Sequence, residues 1–210
     1  MVQFNEPLKL ALATARKGRV IFESAFELDT MLARSVSGAS EPMLAQIRLA
    51  WWREQLEKTR HSRAPHDPLL AKLLEVWRDD AKALSSLIDG WESLVTAPKE
   101  PKAFVSGRAA LGRAIALKLE RPLDAKVAER DTTLWALADL VHWMDDPHLR
   151  DWALDEFSKL PEQERSASRD LRPLRMLGGL ARRALKNGGG PLLGDRMSPF
   201  VALRLGMFGK

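Results

Sequence analysis

The stretch Glu41–Glu57, EPMLAQIRLAWWREQLE, leaves the chain little choice of architecture. It opens like a helix: Ser40 suits a cap, Pro42 the first turn, and Glu41 the positive end of the helix dipole. Placing residues at intervals of about 100° separates the side chains into stripes. Leu44, Ile47 and Trp51 make one apolar row, and Ala45, Leu49, Trp52 and Leu56 make a second beside it. Gln46, Arg53, Glu57 and Arg60 fall on the opposite, polar side. An apolar face two rows wide predicts a helix packed against several neighbours. Arg48 and Gln55 break the pattern, because both project between the two rows. A guanidinium there must be paired, reach water or line a polar pocket.

The rest of the chain repeats the same period. Glu6 to Ser37 reads as helix with an interruption near Gly18. In its second half Phe22, Ala25, Phe26, Ala33 and Val36 share one side, with Asp29 in their middle. A lone acid on one apolar face and a lone base on the next suggest that Asp29 and Arg48 pair. Residues Arg60 to Pro68 read as a polar loop in which His61 and His66 lack a set of metal-ligand neighbours, and Asp67 reads as the cap of the following helix. Helices follow at Leu69–Ala81, with Leu70, Leu73, Leu74 and Trp77 inward, and at Ala83–Val95, with Leu84, Leu87, Ile88, Trp91 and Val95 on one face. Phe104–Leu119 carries Gly107 and Gly112, which permit close helix approach, and Arg121-Pro122 ends it. Val127–Met144 is the next helix, stopped at Asp146-Pro147, and His148–Leu160 follows. Beyond a charged loop at Pro161–Arg172, Leu174–Lys186 is a basic helix whose Arg175, Arg182, Arg183 and Lys186 read as a solvated face with favourable C-terminal charges, or alternatively as a surface for anions or lipid headgroups. Ser198–Met207 reads as a closing helix. Sustained strand alternation, heptads, repeats and nucleic-acid motifs are all absent from the sequence. The expectation is an all-α, single-domain bundle over residues 1–210.

Composition narrows the chemistry. No cysteine means no disulfide, thiolate metal site or cysteine nucleophile. A net charge of +5 favours anionic partners without choosing among them. No apolar run reaches the roughly 18 residues of a membrane span. Gly188-Gly189-Gly190 lacks the Lys-Ser/Thr of a phosphate-binding loop. These features point to a cytoplasmic protein, with peripheral membrane contact possible and no nucleic-acid partner.

EPMLAQIRLAWWREQLE resembles the corresponding helix of the squalene/phytoene synthase family. Phe26–Val36, His66-Asp67-Pro68-Leu69 and Leu87–Leu94 are similar to further family segments in the same order. Residues Arg48 to Arg53 are also similar to a mitochondrial branch that acts in respiratory complex I assembly. The resemblance implies a shortened isoprenoid synthase bundle around a central cavity. In active members two aspartate-rich motifs, spaced DxxxD so that both acids share a helix face, hold the Mg²⁺ that grips a prenyl diphosphate. Here Met31, Leu32 and Ser35 occupy the first motif's acidic positions. Near the second stand Asp145 and Asp146, with Arg150 four residues after Asp146 and Pro147 interrupting the helix. Trp91 replaces an arginine of the family, which suggests that packing has replaced polar work there.

The expectation is therefore a catalytically degenerate family member serving as a binding or assembly protein. Its alternative is a divergent prenyl transferase, alone or as a subunit whose partner supplies the missing acids. Asp29, Arg48, Trp52, Gln55, Asp89 and Glu92 are the expected cavity-lining residues, and Asp145 and Asp146 the candidate metal ligands. No cofactor is expected except Mg²⁺ in an active enzyme. The expected partners are an isoprenoid or lipid in the cavity and, for the assembly role, a protein.

Overall fold

Prolines and short polar side chains set where the helices begin. A computed structural model describes residues 3–39, 41–58, 66–96, 99–143, 146–161 and 167–194, and every regular element among them is helical. The α-helices are α1 (Glu6–Ala13), α2 (Arg19–Ser37), α3 (Pro42–Glu57), α4 (Pro68–Trp77), α5 (Ser85–Glu92), α6 (Pro101–Lys118), α7 (Ala125–Trp143), α8 (Pro147–Ser158) and α9 (Arg172–Lys186). Asn5, Asp67 and Asp146 cap α1, α4 and α8 by accepting hydrogen bonds from the amides of Leu8, Leu70 and His148. A proline follows directly in the first turn of α3, α4, α6 and α8. The expected cap at Ser40, the loop residue His61 and the closing helix at Ser198–Met207 lie outside the described residues.

Element ends differ from the sequence expectation where the backbone turns sharply. The first long helix divides at Gly18, whose φ of 62° places it in the left-handed region. The helix expected over Leu69–Ala81 ends at Trp77, because Arg78 adopts φ 49°, and a 3₁₀ segment Arg78–Leu84 leads into α5.

Helix α7 packs against both α6 and α9, while α5 lies on α6 and α2 crosses α3, α4, α5 and α6. Glycines bring these helices together. A Cβ added at Gly107 would stand 2.5 Å from the carbonyl oxygen of Ser86 and 3.1 Å from the Cα of Gly90. One at Gly112 would stand 2.4 Å from both the carbonyl of Ala128 and the hydroxyl of Thr132. The close approach expected of these two glycines is therefore real, against α5 for one and α7 for the other.

Helix α3 corrects the two-row reading. It buries Ala45, Leu49, Trp52 and Leu56, but Met43, Leu44, Ile47 and Trp51 remain 65%, 43%, 59% and 41% exposed. The helix sits at the edge of the assembly and meets neighbours, chiefly α5 and α2, on one side only. Helix α9 also departs from its wholly solvated reading. Arg175 is buried, with its Nε 3.7 Å from Oδ2 of the equally buried Asp131 on α7.

Candidate functional site

Asp29 is where the sequence placed it, buried in the middle of α2's apolar face. Its partner is not Arg48, which is exposed on α3, but Arg108 on α6. Arg108 donates from Nη2 to Asp29 Oδ2 at 2.9 Å and from Nε to Asp29 Oδ1 at 3.1 Å, a two-pronged pair that matches guanidinium and carboxylate geometry. Its Nη1 donates to Oδ2 of Asp139 on α7 at 2.5 Å. Trp91 adds an indole N–H to Asp29 Oδ1 at 2.9 Å. Trp91 thus does polar work as well as packing, contrary to the expectation drawn from its replacement of an arginine.

The reason Arg108 cannot snorkel to water lies next to it. Gly107 lets the α6 backbone touch α5 at Gly90, so the neighbouring side chain is driven into the core, where it is only 2% exposed. Aromatic rings close around the guanidinium. Its central carbon lies 3.9 Å from the Trp135 ring centroid, 4.9 Å from Phe104 and 5.4 Å from Trp91. Trp91 and Phe104 meet edge to face, with centroids 4.8 Å apart. A buried cation in this setting gains from the ring faces as well as from the carboxylates.

Burial disfavours charge on Arg108, but Asp29 and Asp139 outweigh it and hold its pKa above the ordinary arginine value. Burial likewise pushes the Asp139 carboxyl above the usual carboxylate range; Arg108 opposes this shift and Asp29 adds to it. The two acids are not equivalent. Asp29 is 3% exposed, whereas Asp139 is 20% exposed.

Asp139 gains that exposure from a cavity of about 370 Å³ over the cluster. Asp29, Arg108, Trp91, Phe104 and Trp135 line its inner part, and the apolar side chains of Leu8, Ala33, Val36, Leu94 and Leu140 form its walls. The lining residues that reach solvent are Asn5, Arg34, Ser37 and Trp143. The opening therefore lies among the start of α1 and the ends of α2 and α7.

Of the residues expected around a cavity, Asp29 alone lines this one. Trp52 is core, and Gln55 is half-buried on α3. Asp89 and Glu92 both pair with Arg53, tying α5 to α3. Asp146 is engaged at its helix start, and Asp145 lies outside the described residues. Arg150, in the second motif's region, donates to the carbonyls of Val141 and Gly188 and so ties α7 to the end of α9. Among the described residues no three His, Cys, Asp or Glu side chains gather as a metal site. At the first motif's positions Leu32 is fully buried, and Ser35 donates back to the Met31 carbonyl at 3.0 Å. The residues described do not fit a Mg²⁺–diphosphate grip.

Arg108 and Asp139 were missed by the sequence reading. The signal was present: Arg108 stands between Phe104 and Leu111–Gly112 on α6, as lone a charge as Asp29. No helix among the described residues is long and apolar enough to cross a membrane. No family model, curated protein or solved structure matches the chain.

Proposed function

We propose that this is a squalene/phytoene-synthase-like helical protein that has given up diphosphate chemistry and binds an isoprenoid- or lipid-like chain. The observation that carries this reading is the state of Arg108. The guanidinium at the inner end of the cavity is already held by two carboxylates and three aromatic rings, so it has little left to offer a phosphate. The remaining walls are mostly apolar, and a volume of about 370 Å³ lies within the range of small-molecule pockets. The sequence resemblance supplies the class of chain.

The test is a titration with farnesol and with a non-reactive farnesyl diphosphate analogue, each with Mg²⁺ or with EDTA. Uptake of farnesol that ignores EDTA, together with weak binding of the diphosphate, is the expected result. Tight binding of the diphosphate only when Mg²⁺ is present would replace this reading with the prenyl transferase alternative.

A second reading, assembly, draws on α3. Met43, Leu44, Ile47 and Trp51 leave a contiguous apolar row in water, a feature that often marks a protein contact. A discrete protein partner retained by the wild type and lost in Ile47→Lys would support it; equal retention would remove it.

A further inference from the structure

The cavity is lined by two acids and two bases, but they are not evenly placed, and Arg34 stands at the mouth. At its inner end two carboxylates, Asp29 and Asp139, face a single guanidinium, Arg108. Asp29 spends both of its oxygens on Arg108 and Trp91. Asp139 spends one, Oδ2, and its Oδ1 has no hydrogen bond among the described residues. Asp139 lines the cavity and is the only one of the three charged groups with appreciable exposure. The inner end of the cavity therefore holds an acceptor oxygen with unused lone pairs and one more carboxylate than guanidinium, beside indole faces that attract cations.

From this geometry we infer that the bound ligand is an amphiphile with a single positively charged, hydrogen-bond-donating head, a primary amine in the simplest case. The head sits on Asp139 Oδ1 and the apolar chain along the walls toward Trp143. The inference rests on the proposal that the cavity takes an apolar chain, and it names that chain's head group. Size follows from volume. A cavity of about 150 Å³ holds benzene, so about 370 Å³ suits a ligand of roughly fifteen non-hydrogen atoms. Charge complementarity explains why the head is not anionic: a phosphate would face two carboxylates across a guanidinium already in use. Burial raises the Asp139 carboxyl and Arg108 opposes that shift without cancelling it, so a cationic head would stabilise the ionised form. The charged groups that bear on it are Asp29 and Arg108 alongside, His142 on the next turn of α7, and Arg34 at the mouth.

Three probes of one chain length separate the possibilities: dodecylamine, dodecanol and dodecyl phosphate, each below its micelle concentration and followed by the fluorescence of the cavity tryptophans. The expected result at neutral pH is dodecylamine binding at least roughly tenfold tighter than dodecanol, the scale of one charge-assisted hydrogen bond. Dodecyl phosphate should bind weakest. Lowering the pH toward about 4 should erase the amine's advantage, because a protonated Asp139 no longer attracts it. Asp139→Asn should reduce the amine-to-alcohol ratio to within about twofold while dodecanol binding persists. That variant keeps the two-pronged Asp29–Arg108 pair, so the fold is retained. Equal binding of amine and alcohol, or an amine preference that survives Asp139→Asn, overturns the head-group assignment and leaves the apolar cavity standing. Failure of all three probes to bind overturns both.

Discussion

Arg108→Met is the substitution that most directly tests whether the buried charges hold the bundle together. Methionine fills most of the arginine's stem and removes the guanidinium. The change deletes two hydrogen bonds to Asp29, one to Asp139 and the contacts with three rings. Asp139 is 20% exposed and can turn to water in the cavity. Asp29, at 3% exposure, cannot; it is left with the indole N–H of Trp91. Breaking a buried ion pair by removing one partner typically costs about 3–5 kcal/mol, most of it the stranded charge. For a domain of this length each kcal/mol moves the melting temperature by about 2–4 °C, so the expected fall is roughly 6–20 °C in a thermal melt. Adding Asp29→Asn to Arg108→Met removes the stranded charge and should recover more than half of that loss. If Arg108→Met melts within about 2 °C of the wild type, the charge cluster is not a structural element and the account of the site fails. If the double variant is no better than the single one, the cost comes from packing rather than from the stranded carboxylate.

Other expectations follow from individual contacts. Arg48→Ala should leave the melting temperature within about 1 °C, because Arg48 is exposed and Asp29 pairs elsewhere; a large drop would restore the Asp29–Arg48 pair. Gly112→Ala should cost about 1–3 kcal/mol in denaturant unfolding, since its methyl would meet the Ala128 carbonyl at 2.4 Å and the α6–α7 contact has no room to yield. Asp170 accepts from both Nε and Nη2 of Arg121, at 3.0 and 2.7 Å, and this bonding with Arg121 holds its carboxyl below the usual carboxylate range. A depressed folded pKa gives stability that is present above the unfolded value, near 3.9, and disappears as the pH falls through the folded one. Asp170→Asn should therefore cost about 1 kcal/mol or less at neutral pH, and the deficit should close only below about pH 4 in pH-dependent melts. A deficit independent of pH would mean that the pair contributes through packing alone.

How much of this was legible from the sequence depends on whether the signal was local. Helical period, capping by Asp67, the break at Gly18 and the close approach at Gly107 and Gly112 all depend on residues within a turn or two of each other. Asp29 was found the same way, as a lone acid on an apolar face. Its partner was not, because the two lie 79 residues apart and nothing near either residue points to the other. Arg48 is the closer candidate in sequence and fails for a reason the helix wheel cannot contain. Whether α3 is covered on one side or two is a property of the whole packing, and its coverage on one side only leaves Arg48 in water together with Ile47 and Trp51.

The same long-range packing bears on the chemistry. A polar residue at the inner end of an apolar cavity can serve a ligand only with the bonding capacity that the fold leaves it. Arg108 looks, as a residue type, like an anion receptor, yet three of its N–H groups are committed to this chain's own carboxylates and three aromatic rings lie against it. Asp139 has the reverse character: it is held in place by one oxygen and left open on the other. On the proposed reading, the inner end of the cavity offers a ligand an acceptor oxygen rather than the cationic receptor that Arg108 suggests by residue type. The same bundle of helices can present a binding wall of either sign, depending on whether the acids outnumber the bases once the internal pairs have formed.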